Sequence, residues 1–308
     1  MTATIELPAP AEDEEPSAEA PAPVERPDDV AMRLVGQWAG ILAVAGLFFL
    51  VHIGLVGAVQ HDRDQAAGYA ELRDQLALST APVGPVDAGG QPLAPGTPVA
   101  LLEIPSLGLS EVVGEGTSAG VLMSGPGHRR DTVLPGQAGA SVIAGRRAAY
   151  GGPFASIGLL RGGDQIVTTT GQGRNVYRVL GVRRAGDPLP DAPAKGKGRL
   201  TLMTADGPPF LPTDVVRVDA ELVSPTQESG GRLPSDALPA GEETLAGDYS
   251  TLIPLVMWGQ LLVAAAVGCV WVRHRVGPWQ TWVIGVPVLI AVGAQVADKA
   301  AALLPNLL

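Results

Sequence analysis

The sequence predicts an all-β domain attached to a membrane by three helices. The domain is predicted by seven short β-rich runs between residues 98 and 223, with Gly, Pro or Asp punctuation between them. The helices are predicted by three long apolar runs outside that region. At 46% hydrophobic residues, the 308-residue chain is also too apolar for an ordinary soluble protein.

The β-rich runs are "VALLEI" (99–104), "GLSEVVG" (108–114), "SVIAG" (141–145), "DQIVTTT" (164–170), "NVYRVLGVRR" (175–184), "RLTLMT" (199–204) and "DVVRVDAELV" (214–223). Seven or eight strands in this length suggest a barrel or a sandwich. In the last run Val216, Val218, Ala220 and Leu222 alternate with Arg217, Asp219 and Glu221, the period of a half-buried strand. Segments 117–125 and 153–160 read as short helical turns.

Residues 34–59 contain no formally charged side chain and, at about 1.5 Å per residue, exceed a hydrocarbon core of roughly 30 Å. A transmembrane helix is expected there. A secretory signal peptide is the competing reading because "VGA" (56–58) is cleavage-like, but the run is too long for one and starts too far from the first residue. Two further runs, 252–272 and 279–297, flank "RHRVGP" and read as a transmembrane hairpin. An interfacial or kinked helix is the alternative for 279–297, which contains Pro287 and Gln295. Positive charge retained inside puts the basic loop and the tail 1–33 in the cytoplasm and residues 60–250 outside. The expected location is therefore the plasma membrane, multi-pass, with the β domain extracellular. His52, with no carboxylate in its own span, reads as a packing residue.

The formal charge of −10 is unevenly spread. Residues 1–33 hold nine acidic and two basic side chains and residues 224–250 hold five and one, whereas 98–223 carry thirteen Lys/Arg against eleven Asp/Glu. The acidity thus belongs to tail and linkers, and no clustered basic face points to nucleic acid. The acidic tail is expected to be disordered. Residues 60–97 and 224–250 are read as linkers, their Pro/Gly/Ser-rich stretches spacing the domain from the bilayer. The single cysteine, Cys269, lies in an apolar run, so the outward domain has no thiol and no disulfide framework. Neither a cofactor nor a metal is expected.

Four passages, "LEIPSLGLSEVVGEG" (102–116), "GPGHRRDTVLPGQAGASVIAGRR" (125–147), "YGGPFASIGLLRGGDQIVTTTGQGRNVYRV" (150–179) and "LTLMTADG" (200–207), carry a resemblance in order along the chain. Together they resemble the sortase family, membrane-anchored cysteine transpeptidases of Gram-positive bacteria that cut a sorting signal and join the protein to the cell wall or a pilin. The resemblance implies an eight-stranded β-barrel with a groove where two strands end side by side. It also implies a Cys thiolate nucleophile, a His that protonates the leaving amine, and an Arg that steadies the oxyanion.

Each of those positions departs from the family pattern. Ala205 stands where the family has Cys, Arg146 where it has His, and Asp214 falls near its Arg. Alanine cannot form a thioester, and an arginine does not serve as an acid or base near neutral pH. The resemblance therefore implies a membrane-anchored pseudoenzyme, a binding or scaffolding module at the cell wall. Its expected partners are the membrane, a sorting-signal peptide, an active sortase or an anionic wall polymer. The alternative is a transpeptidase or hydrolase using Thr204 with Asp206 or Asp214. Arg146, Arg147 and Arg217 read either as a site for an anionic polymer or as structural charges, with Arg146 paired to Asp206 or Asp214 and Arg217 facing solvent. His128 reads as a loop-bonding residue. "GQGRN" (171–175) is a hairpin turn between strands, not a phosphate loop, and "KGKGR" (195–199) is a basic surface loop.

Overall fold

The computed structural model describes residues 27–87, 89–208 and 210–308, so most of the acidic tail, residues 1–26, lies outside the described residues. The chain divides into two compact units, Met1–Gly46 and Leu47–Leu308. In the first, helix α1 (Pro27–Val51) begins and exposes Trp38, Leu42 and Val44.

In the second, a π-helical turn over His52–Val56 leads into α2 (Gly57–Ala77). The start of the segment expected to be a linker is therefore helical. Its sequence "AAGYAELRDQLA" is rich in strong helix formers and lacks proline. Gln65 fastens α2 to the barrel as a side-chain imitation of a strand: Oε1 accepts from Val112 N at 2.6 Å, and Nε2 donates to Val112 O at 3.2 Å and Ser124 O at 2.9 Å.

Eight strands follow, with one short helix among them. They are β1 (Pro98–Ile104), β2 (Leu109–Glu115), β3 (Gly127–His128), β4 (Gly139–Ala144), β5 (Gln165–Thr170), β6 (Gly173–Arg183), β7 (Gly198–Asp206) and β8 (Asp214–Leu222), and α3 (Ala119–Ser124) precedes β3. They close into a barrel in the order β1-β2-β3-β4-β7-β8-β6-β5. Closure pairs every edge, which an open sheet of this size would leave exposed. The interior is filled by alternate residues of several strands, among them Leu102, Ile143, Ile166, Tyr177, Leu202 and Val218. The expected helical turns are α3 and a 3-10 turn at Ile157–Leu159.

Both segments read as spacers beyond α2 lie along the barrel instead of standing free of it. Gln137 Nε2 donates to Val83 O at 2.9 Å, Gln227 N to Gly136 O at 2.9 Å and Leu233 N to Arg130 O at 3.0 Å. Backbone partners, which composition does not reveal, hold these Pro/Gly-rich stretches.

Helices α4 (Leu252–Arg275) and α5 (Pro278–Ala302) pack against each other, and a Cβ on Gly285 would meet Cys269 Sγ at 2.8 Å. Three helical stretches, Val35–Ala77, Tyr249–Arg275 and Thr281–Ala302, are long and apolar enough to cross a membrane. His52 has a carboxylate partner after all, from another helix: its Nε2 lies 2.7 Å from Asp298 Oδ1. Tyr150 Oη donates to the same oxygen at 3.3 Å.

Candidate functional site

The site is built where the parallel strands β4 and β7 run out side by side. Their last register pair is Ala144 with Met203, after which Gly145 N donates to Met203 O at 3.0 Å. A side chain at Gly145 is barred, because a Cβ there would lie 2.5 Å from the Phe154 ring. On the other side of β7, Ala205 pairs with Val215 and Asp206 with Asp214 of β8.

The residues read from the sequence separate here into two groups. Thr204, Ala205, Asp206, Asp214 and Arg147 come together at the strand ends, whereas Arg146 and Arg217 do not join them. Arg146 is fully buried and turned beneath the strand end: one Nη donates to Ala119 O at 3.3 Å, and the guanidinium lies 5.3 Å over the Tyr150 ring. It pairs with neither Asp206 nor Asp214, which corrects the expected ion pair. Its Nε and other Nη have no partner among the described residues. Burial pulls its pKa down to about 10, opposed by Tyr150, so it remains a cation at neutral pH. Burial, followed by the nearby Asp298, pushes the Tyr150 phenol up.

The neighbouring guanidinium takes the role expected of Arg146. Arg147 donates to Ala205 O at 3.2 Å and to Asp206 Oδ1 at 3.4 Å, and Arg184 reaches Asp206 Oδ2 at 3.5 Å. Asp214 Oδ1 accepts from the N–H of Val215 at 2.7 Å. Arg217 sits in β8 between Met203 and Arg183 in register, so the three arginines do not form one anionic-polymer patch. Thr204 is 3% exposed and its hydroxyl donates to Gly145 O at 2.8 Å. That geometry commits the hydroxyl proton to a carbonyl, and among the described residues no base is hydrogen-bonded to it. His128, the domain's one histidine, is buried elsewhere: Nδ1 lies 2.8 Å from Glu115 Oε2 and Nε2 3.0 Å from Val133 O. Among the described residues no group of three or more His, Cys, Asp or Glu side chains is arranged to hold a metal ion.

A family profile described as a sortase domain matches residues 102–223. Residues 102–223 belong to the sortase family. Among solved structures, the chain is similar to a Clostridium perfringens sortase D5 transpeptidase, with 21% identity over 53% of this chain and 99% of that one and a TM-score of 0.44. It is also similar to sortase E from Streptomyces avermitilis, with 29% identity over 49% of this chain and 100% of that one and a TM-score of 0.37. A third similarity is to Clostridium perfringens sortase C with the C-terminal cell wall sorting motif, at 22% identity over 53% and 89% of the two chains and a TM-score of 0.40. No curated protein matches the chain significantly.

The space beside Ala205 at the strand ends is filled. Leu307 is fully buried in one apolar cluster with Leu122, Ala144, Met203, Ala205 and Val215. Leu308 lines what remains with Arg147, Ala205 and Phe210, a cavity of about 10 Å³, room for about one water. Sequence reasoning missed these leucines. The available signal was "LLPNLL" (303–308), an apolar run with Pro-Asn inside it that continues past the last helix.

Proposed function

We propose that this protein is a membrane-anchored, catalytically inactive sortase-type barrel that acts as a binding or scaffolding module on the outer face of the cell. One observation carries the reading. The position where a nucleophile would stand is Ala205, 3% exposed and packed within an apolar cluster instead of facing an open groove. Covalent acyl transfer needs a nucleophile, a proton donor for the leaving amine and an access path. The strand ends supply a methyl group, an arginine buried away from them and a leucine.

The anchoring reading is supported by chain geometry. Residues 303–308 follow α5 and return to the barrel, so a chain leaving the barrel side through α4 comes back to that side through α5. Two crossings by a hairpin meet that requirement, and the basic loop Arg273–Arg275 then falls on the far side, as retained positive charge favours. Partners at the wall, whether an active sortase, a sorting-signal peptide or an anionic polymer, would be met by the barrel's outer surface.

The test is turnover. The full-length protein in detergent, incubated with an LPxTG-type peptide and an amine acceptor, is expected to give neither cleavage nor transfer above buffer. Turnover abolished by Thr204→Val or Asp206→Asn would overturn the reading in favour of a non-standard transpeptidase.

A further inference from the structure

We infer that the degenerate groove beside Ala205 is a working peptide-binding site whose occupant is residues 303–308 of the same chain, latching the end of α5 onto the barrel. The inference goes beyond the absence of catalysis and does not depend on it.

The segment is held as a bound peptide is, by backbone, side-chain and apolar contacts together. Arg147 N, just past β4, donates to Leu307 O at 3.1 Å, and Ala149 N approaches Leu308 O at 3.5 Å. Two backbone donors of the bend that follows β4 thus meet the last two carbonyls of the segment. Asn306 is 1% exposed, and its amide donates to Thr117 O at 2.9 Å and Glu243 O at 2.8 Å, while its N–H donates to Ala246 O at 2.9 Å. That is a sequence-specific contact, since few side chains other than an amide can donate to two carbonyls at that place. Leu307 then fills the apolar pocket that Ala205 floors.

The tether makes this binding effectively intramolecular. A short connection to α5 gives the segment a high effective concentration at the groove, so a free peptide must outcompete it. Two consequences follow. The outer end of the α4–α5 hairpin is fixed to the barrel, and the groove is closed to external peptides while the latch is engaged.

The experiment uses thiol accessibility in the full-length protein. Ala205→Cys is placed in a Cys269→Ser background, which leaves one thiol, and its labelling rate with a water-soluble maleimide is measured in detergent. With the native segment, labelling is expected to be at least about tenfold slower than in the same protein carrying Leu307→Asp or lacking residues 303–308. Adding the synthetic peptide Leu-Leu-Pro-Asn-Leu-Leu to the truncated protein is expected to slow labelling again, and the same peptide with Ala in place of Asn is expected to be weaker. Should Leu307→Asp unfold the barrel, Asn306→Ala is the milder opening variant, with a smaller increase expected. Equal rates in all variants, whether uniformly fast or uniformly slow, would overturn the inference, as would a peptide that gives no protection. Turnover is read separately, so a failed latch leaves the non-catalytic reading standing.

Discussion

Arg147 donates its backbone N–H to the carbonyl of Leu307 at 3.1 Å, while its neighbour Arg146 turns its side chain away from the groove into the protein. Two adjacent arginines thus divide the labour. One borders the strand ends and binds the returning chain; the other is a buried cation lying over the Tyr150 ring.

Arg146 is expected to be dispensable for stability. A guanidinium without a carboxylate partner among the described residues carries a desolvation cost that its bond to Ala119 O and the Tyr150 ring only partly offset. Arg146→Met should leave the urea midpoint at or above that of the native protein, by on the order of 1 kcal/mol. A loss of several kcal/mol would mean that the cation is paired.

Thr204 is predicted to be structural. Thr204→Val keeps the shape and deletes the bond to Gly145 O, leaving a buried carbonyl short of a donor. The expected cost is about 1–2 kcal/mol in chemical denaturation, and Thr204→Ser should recover most of it.

His128 and Glu115 form a buried pair on β3 and β2, each side chain 2% exposed. Removing one partner strands the other in a place water does not reach. His128→Ala should therefore cost about 3–5 kcal/mol, and the Glu115→Gln, His128→Ala double variant should be less damaged than the sum of the two single variants in a denaturation cycle.

Glu242 gives the chain a pH dependence. Burial pushes its carboxyl above the usual carboxylate range, with Arg130 at 3.6 Å opposing. A raised folded-state pKa means that the native protein binds more protons than the unfolded chain between the two pKa values, so this residue's contribution improves as pH falls through that window. Against Glu242→Gln, which does not titrate, the native protein should therefore gain relative stability between pH 7 and pH 4, read as the difference in melting temperature. A difference independent of pH would contradict the assignment.

The strands were legible because their alternation survives in the sequence: Val216, Val218, Ala220 and Leu222 are the buried face of β8. Ala205 was singled out for a different reason, since "LTLMTADG" falls where the resemblance to the family places its nucleophile. The helix α2 was not read, because its polar composition resembles a linker until Gln65 is seen bonded to Val112. Arg146 was placed in the groove by its position in the motif, although adjacent residues point to opposite sides of an extended chain and only one of two arginines can face the strand ends.

By itself the sequence determined the all-β class, the apolar runs, the sortase resemblance and the absence of a thiol from the barrel, because periodicity, composition and motif are local properties. Only the tertiary structure decided that His52 meets Asp298, that the linkers lie on the barrel and that Leu307 lies in the groove. Those pairings join residues far apart in the chain, and nothing in the spacing of "LLPNLL" says which carbonyls and which methyl group it will meet.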